Sequence, residues 1–148
     1  MTELSTLTYK SYQLSTKTVT FTGAAGFGAN GTNTVFFTVT GLVYIRYIYG
    51  YCIATLTQDL ATPTLSLGVV GALTAFIPAT NPATNISIGR YWVSATPGNA
   101  ALAIPGICMT QVAAANIVAN VAGTNNINGG TLAIGVWWMP ASIGGYLI

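Results

Sequence analysis

Residues 26–31 read GFGANG, a G-x-G-x-x-G spacing that marks a dinucleotide-binding turn when a strand precedes it and a helix follows. The glycines of such a turn let the backbone approach a pyrophosphate, whose charge the helix N-terminus stabilises. Here the next residues, 32–39, are rich in β-branched and aromatic residues, which is typical of a strand. The first acidic residue downstream is Asp59, beyond the roughly 20 positions at which a ribose ligand is expected. The segment therefore predicts the loop of a β-hairpin and no cofactor site.

Side chains that could perform catalysis or hold a metal are scarce. The 148 residues include no histidine, two cysteines and two carboxylates, Glu3 and Asp59. Without histidine, Ser–His and Cys–His nucleophile pairs are excluded, and a zinc site lacks its four ligands. The carboxylates lie in a terminus and a polar loop, so they form no general acid–base pair. We therefore expect no catalytic residue, no metal and no enzyme activity.

Cys52 and Cys108 both lie in apolar sequence, and their spacing matches no metal or redox motif. Small buried side chains are the ordinary role of such cysteines, particularly in the reducing cytoplasm. The sequence leaves open whether these two residues pair.

The charged residues make up 4% of the chain, where about 25% is usual, and they give a net charge of +2. They are Glu3, Lys10, Lys17, Arg46, Asp59 and Arg90. A surface with so few charges provides little repulsion between molecules, which predicts a protein that packs against others. The positive charges are also too few and too scattered for phosphate recognition, so we expect no nucleic-acid partner.

A mean hydropathy of +0.62 raises the question of membrane-spanning segments. The longest uninterrupted apolar run, residues 65–77, is shorter than the about 20 residues that cross a bilayer, and Pro78 ends it. Residues 101–123 form a longer run, but Pro105 and several amide side chains interrupt it. The first 17 residues lack the apolar stretch of a secretory signal, so we expect synthesis in the cytoplasm and no membrane partner.

Strand-like segments recur along the chain between clusters of Gly, Asn and Pro. Residues 35–57 predict two strands, or one long strand bent at Gly41 or Gly50. Alternation along this segment predicts two sets of side chains on opposite sides of the sheet. The first set is Val43, Ile45, Tyr47, Tyr49, Tyr51 and Ile53, and the second is Tyr44, Arg46, Ile48 and Cys52.

Further along the chain, Pro78 is predicted to end a strand. The alanine-rich residues 109–115 are compatible with a short helix or turn. Residues 116–122 and 131–140 predict two strands, which the Asn- and Gly-rich residues 123–130 join as a hairpin.

Short strands at close spacing predict an all-β fold, either an antiparallel β-sandwich or a jelly-roll-like barrel, with under about a fifth of the chain helical. The length suits one core, so residues 18–148 are predicted to form a single β domain. Residues 1–17 alternate weakly between polar and apolar residues and hold three of the six charges. We expect them to form a flexible N-terminal arm that a neighbouring molecule orders.

With no catalytic group in the sequence, aromatic side chains are the strongest candidates for function, because they bury large areas at interfaces. The interface candidates are Tyr44, Tyr47, Tyr49, Tyr51, Trp92, Trp137 and Trp138. The alternative role of each is that of an ordinary core residue. Strand alternation requires that one of the adjacent Trp137 and Trp138 points inward, so the other needs cover from a neighbouring subunit or from a loop of the same chain.

Three segments together resemble a known family. They are FFTVTGLVYIRYIYGYCIATLT (36–57), LSLGVVGALTAFIPAT (65–80) and VANVAGTNNINGGTLAIGVWWMPASIGG (118–145). Over about residues 35–144 their strand rhythm is similar to that of the small β-rich decoration, or head-stabilising, proteins of tailed bacteriophages. The resemblance implies a structural virion protein, made in the host cytoplasm, that binds the outer surface of the capsid and reinforces it, usually as a trimer. Its implied partners are the major capsid protein and copies of itself, and the family has no catalytic residue to transfer.

Two other functions fit the same composition. A tail, collar or fibre-base component of a virion would have an equally uncharged β fold. A carbohydrate-binding β-sandwich module would stack exposed aromatic rings on sugars, and the segment GRYWVS offers Arg90, Tyr91 and Trp92 for this role.

Overall fold

The computed structural model describes residues 11–24, 27–59, 62–97 and 104–148. Of these residues, 59% lie in strands and 6% in helical turns. The prediction of an all-β fold with little helix is confirmed for the described part of the chain.

The strands are numbered in chain order within the described ranges. They are β1 (Gln13–Thr20), β2 (Thr32–Phe37), β3 (Val39–Thr40), β4 (Val43–Gln58), β5 (Thr64–Val69), β6 (Ala72–Thr80), β7 (Tyr91–Trp92), β8 (Met109–Ala113), β9 (Ile117–Ala122), β10 (Ile127–Pro140) and β11 (Tyr146–Leu147). A one-turn helix, α1 (Pro82–Asn85), follows β6, and a 3-10 turn (Gly106–Cys108) precedes β8. Asn81 caps α1, because its side chain accepts a hydrogen bond from the backbone N–H of Thr84.

Two antiparallel sheets form a sandwich around one core. The front sheet has the strand order β1-β10-β4-β7, and β8 also pairs with β4. The back sheet has the order β2-β9-β5-β6, and β3 and β11 form a separate two-stranded ribbon. Fully buried side chains come from both sheets, such as Ile48 and Ile134 from the front and Leu67 and Ile117 from the back. In the described part of the chain the sheets do not close into a barrel, so the sandwich is the predicted architecture that is observed.

The two hairpins predicted from glycine- and asparagine-rich loops are wrong. β1 pairs with β10 in the front sheet and β2 pairs with β9 in the back sheet, so the loop between β1 and β2 crosses from one sheet to the other. The loop between β9 and β10 crosses back in the same way. Gly28 and Gly31 have the expected positive φ angles, 105° and 71°, and a strand follows them instead of a helix. The turn residues are therefore predicted correctly, whereas the strand partners are not.

Residues 35–57 lie in separate strands, which is closer to the first of the two predicted possibilities: the end of β2 and the short β3 precede Gly41, and β4 follows it as a continuous strand of 16 residues. β4 continues through Gly50 without interruption. The change of direction lies before the strand at Gly41, where φ is +63°. A positive φ is a conformation that glycine adopts readily, which explains why the chain turns at this position.

A β-bulge in β4 overturns the predicted division of its side chains. Ile45 pairs with Trp138 and Tyr47 pairs with Trp137, so Arg46 is an extra residue without a partner in β10. A bulge sets two residues of one strand against a single residue of its partner, and this re-aims the side chains beyond it. The core therefore takes side chains from both predicted sets, namely Val43, Ile45, Ile48 and Cys52, while Tyr47, Tyr49 and Tyr51 lie on the outer side.

Three segment boundaries also differ from prediction. Pro78 lies inside β6, where its missing N–H is tolerated because β6 is an edge strand of the back sheet. Met109–Ala113 form β8 instead of a helix, because pairing with β4 overrides the local helix propensity. β1 begins at Gln13, so residues 13–17 of the predicted arm belong to the front sheet. Residues 1–10 of that arm lie outside the described residues.

Candidate functional site

Two of the seven predicted interface residues lie in the core. Trp92 is fully buried, and its Nε1 donates a hydrogen bond of 2.9 Å to Thr80 Oγ1. Trp138 is almost fully buried, and its Nε1 donates a hydrogen bond of 2.9 Å to Ser15 Oγ. Both indole N–H groups therefore have a partner within the chain, and both rings are unavailable to another molecule. Trp138 is the inward member of the adjacent tryptophan pair.

Four other predicted residues, Tyr47, Tyr49, Tyr51 and Trp137, share the outer side of the front sheet. Tyr91, which the sequence singles out only as a sugar-stacking candidate, completes a continuous row of five rings. The ring centroids are 5.1 Å apart for Tyr51 and Tyr91, 5.8 Å for Tyr91 and Tyr49, 6.2 Å for Tyr49 and Tyr47, and 5.8 Å for Tyr47 and Trp137. These distances fall in the range of about 4.5–7 Å that aromatic pairs favour. We call this row the aromatic face.

The register of three strands builds the aromatic face. Trp137 on β10 lies opposite Tyr47 on β4, and Tyr91 on β7 lies opposite Tyr51. Directly opposed side chains on one side of an antiparallel pair contact each other. The sequence alone does not place Tyr91 in this row, because no local feature of the sequence shows that the two-residue strand β7 pairs with β4.

Tyr49 lies at the middle of the aromatic face, opposite Gly135. A Cβ added to Gly135 would lie 2.5 Å from the Tyr49 ring. The Tyr49 ring therefore lies over Gly135, in space that any larger side chain at this position would fill. Burial raises the pKa of the Tyr49 phenol, and the neighbouring Tyr91 and Tyr47 raise it further. This phenol is therefore neutral at physiological pH.

The aromatic face carries no carboxylate. Within the described ranges the acidic residue is Asp59, which follows the far end of β4. Arg46 is exposed at the bulge, next to Tyr47. Tyr51 and Tyr91 are 37% and 44% exposed, so these two rings remain substantially in water. The aromatic face is therefore a candidate interaction surface.

Tyr44, the remaining candidate, lies apart from the aromatic face. It precedes the bulge in β4, and its ring centroid is 6.3 Å from that of Tyr12. On the neighbouring strand β8, the residue opposite Tyr44 is Val112. The structure thus brings together four of the seven predicted residues, places two in the core and leaves one at a separate position.

The rings of the aromatic face are tilted against one another. Neighbouring ring planes meet at angles between 30° and 55°. Stacking on a sugar chain uses exposed rings whose faces share a plane, and this row does not provide such a platform. In the segment GRYWVS, Trp92 is buried and Tyr91 is exposed, so this segment offers one ring to a sugar.

The two cysteines are buried, as the apolar sequence around them predicts, and they are free, which answers the question of pairing that the sequence leaves open. Cys52 Sγ donates a hydrogen bond to the carbonyl oxygen of Ala54, and Cys108 Sγ donates to the carbonyl oxygens of Phe76 and Val93. Burial raises the pKa of the Cys108 thiol to about 11 and also raises that of Cys52. Within the described ranges, no group of three or more His, Cys, Asp or Glu side chains could hold a metal ion.

We expect both thiols to be nearly inert in the folded protein, because the reactive species is the thiolate and burial disfavours it. A small aromatic disulfide at about pH 8 should label the native chain at least about a hundredfold more slowly than the chain unfolded in guanidinium. Comparable labelling rates in the two states would show that the thiols are accessible.

Cys108 should also make the folded state sensitive to alkali. Its folded-state pKa of about 11 lies above the ordinary value of 9.0, so its contribution to stability is complete below about pH 9 and is lost as the pH rises toward 11. Denaturant titrations across this range should show a smaller loss of stability for Cys108→Ala than for the wild-type chain. Equal losses of stability in the two chains would show that the raised pKa of the Cys108 thiol is not the cause.

Comparisons with protein-family models, with curated proteins and with solved structures found no match to this chain. Across the described ranges, no helix is long and apolar enough to cross a membrane.

Proposed function

We propose that this chain is a structural virion protein that binds the outer surface of a tailed-bacteriophage capsid and reinforces it as a homotrimer. Its partner is the major capsid protein, and it acts on the virion after synthesis in the host cytoplasm. The observation that carries the proposal is the aromatic face, an uncharged row of five rings on the outer side of the front sheet. The resemblance in strand rhythm to capsid decoration proteins supports the same function.

Burial of apolar surface can supply the binding free energy of such a chain. Each Å² of apolar surface removed from water contributes roughly 25 cal/mol before entropic costs. Tyr and Trp are enriched among the residues that dominate binding at interfaces. In a trimer the second and third contacts form within one complex, so modest individual contacts add up to firm attachment. No charged pair is needed for this.

Sedimentation with capsids tests the proposal. The test uses capsids of the phage that encodes the protein, after its own copies have been stripped from them. Purified protein added to these bare capsids should sediment with them and should saturate at a fixed ratio to the capsid subunits. Electron microscopy should then locate it on the head. Density on the tail, collar or fibre base would support the alternative virion role, and binding on a glycan array would support a carbohydrate-binding module. Absence from the particles would contradict all virion roles.

Attachment to the capsid is expected to respond weakly to salt, because the chain has only six charges. Exposed charges are screened beyond about 8 Å at about 0.15 M, so an interface of ion pairs weakens as salt rises. Titrations onto bare capsids at about 0.05 M and about 1 M sodium chloride should give affinities within about tenfold of each other. Sulfate should strengthen attachment, because it favours apolar burial. A larger loss at high salt would show that Arg46 and Arg90 govern binding.

A further inference from the structure

One side of the sandwich presents two edge strands, one from each sheet. Among the described strands, β1 pairs on one side only, with β10, and β2 pairs on one side only, with β9. The chain passes from β1 to β2 on this side of the molecule. An edge strand carries unpaired N–H and C=O groups, with which a strand of another molecule can pair. We call this side of the sandwich the open edge.

Lys17 is the one charged residue in β1 and β2. It lies on the inner side of β1, because it is directly opposite Ile134, a fully buried residue of β10. The inner residues on either side of it are Ser15, which accepts the indole N–H of Trp138, and Val19, which is almost fully buried. Lys17 thus places a positive charge where an apolar side chain would extend the core.

The side chain of Lys17 reaches from one sheet to the other at the open edge. Its Nζ donates a hydrogen bond of 3.4 Å to the carbonyl oxygen of Val35 on β2. The same atom lies 6.0 Å from the ring centroid of Phe27, which stacks on Phe36 at 5.3 Å. A lysine in such a position covers apolar surface with its aliphatic stem and keeps its ammonium group in water. Lys17 therefore contacts β2 as well as belonging to β1.

We propose that Lys17 is a gatekeeper that prevents the open edge from pairing with a second copy of the chain. Inward-pointing charged residues on edge strands are one means by which natural sheets avoid edge-to-edge pairing. Pairing at the open edge would take the ammonium group out of water, and β1 and β2 contain no carboxylate to receive it. This inference concerns the free protein and does not depend on the proposed function.

The register of β1 strengthens this effect, because the longest pairings of two copies bring the two lysines together. Two β1 strands that pair antiparallel about a two-fold axis set inner residues opposite inner residues. β1 runs from Gln13 to Thr20, so its two longest registers of this kind centre on Lys17 or on Thr16. In the first register the two lysines are directly opposite, where like charges destabilise a strand pair. In the second they are diagonal neighbours, about 7–8 Å apart.

Without the charge of Lys17, β1 would have the composition of a segment that associates edge to edge. The rest of this strand is uncharged, is rich in Ser, Thr and Val, and contains no proline. High β propensity with low charge and no proline is typical of such segments. The whole chain has only six charges, so general repulsion between molecules would not replace the lysine.

Lys17→Met tests the inference, because methionine is unbranched and apolar like the stem of lysine but carries no charge. In sedimentation velocity of the purified protein, this variant should form species of at least about twice the wild-type mass, in amounts that rise with concentration. Its melting temperature should be no lower than that of the wild type, which assigns the association to the folded state. A Lys17→Met chain that sediments like the wild type at every concentration would overturn the inference.

Two substitutions are matched controls for charge. Lys17→Arg keeps the positive charge at the open edge, whereas Arg46→Met removes one positive charge from an exposed residue of the interior strand β4. Both variants should sediment like the wild type. Association of Arg46→Met to the same extent as Lys17→Met would show that net charge alone controls association, and it would overturn the role of Lys17.

The double variant Thr16→Lys/Lys17→Met separates edge pairing from the effect of a new apolar side chain. It returns a positive charge to β1, on the outer side, because Thr16 is the exposed neighbour of Lys17. Since a charge on either side of an edge strand opposes pairing, this variant should sediment like the wild type. Continued association would show that the methionine side chain, and not the edge of β1, forms the contact, and it would overturn the inference.

Discussion

Trp92→Ala is expected to lower the free energy of unfolding by about 3–5 kcal/mol, the range for truncation of a large buried ring. Trp92 is fully buried, and its ring packs against Gly50, where an added Cβ would lie 3.0 Å from the indole. Alanine would leave a cavity in the core and would remove the hydrogen bond from Nε1 to Thr80 Oγ1. The loss is a large fraction of the about 5–15 kcal/mol that stabilises a typical domain. Denaturant titration followed by circular dichroism measures it.

Two variants separate the causes of this effect. Tyr91→Ala changes the adjacent residue, whose side chain lies on the outer side, and should alter stability by no more than about 0.5 kcal/mol. Thr80→Val keeps the ring of Trp92 but leaves its N–H without an acceptor, which should cost about 1–3 kcal/mol. If Trp92→Ala were no more damaging than Tyr91→Ala, the assignment of Trp92 to the core would be wrong.

The sequence is sufficient to predict an antiparallel all-β fold, because strand propensity and turn residues are local properties. It is insufficient to predict which strands pair. Residues 21–31 and 123–126 have the glycine and asparagine content of hairpin loops, yet each connects a strand of one sheet to a strand of the other. Turn residues set the backbone angles of a loop, whereas pairing depends on which strands bury their apolar sides together.

The bulge at Arg46 shows a second limit of sequence reasoning. Alternation along β4 predicts Tyr44 and Tyr47 on opposite sides, but the extra residue changes which side chains enter the core. A bulge depends on the register with the neighbouring strand and leaves no fixed local signal unless a glycine marks it. Arg46 itself is a hint, because an unpaired charge is costly in a core and is tolerated where a strand turns its side chain to water.

The candidate site could be predicted in part. Because the sequence lacks catalytic groups, it points to seven aromatic side chains, and four of these lie on the aromatic face. The sequence could not show that Trp92 and Trp138 are core residues. Their indole N–H groups donate hydrogen bonds to Thr80 and Ser15, which lie on strands distant in sequence, and local sequence does not reveal such partners.

Tyr51→Ala/Tyr91→Ala is expected to weaken attachment to capsids by at least about thirtyfold, as the loss of a binding hot spot does. These two rings are the most exposed of the aromatic face and lie opposite each other on β4 and β7. Under the proposed function, their removal takes aromatic surface from the contacts of the trimer, with its neighbouring copies or with the capsid, and so weakens the advantage of several simultaneous contacts. Stability should change little, because neither side chain lies in the core.

Titration onto bare capsids and sedimentation velocity of the free protein measure the two consequences of this variant separately. Val35→Ala is the matched control, since Val35 is 38% exposed, close to the 37% of Tyr51, but lies on β2 of the back sheet. It should attach and assemble like the wild type. A loss of capsid affinity in the tyrosine variant without a change in oligomeric state would assign the aromatic face to the capsid itself. Wild-type attachment and assembly of that variant would show that the aromatic face is not a docking surface.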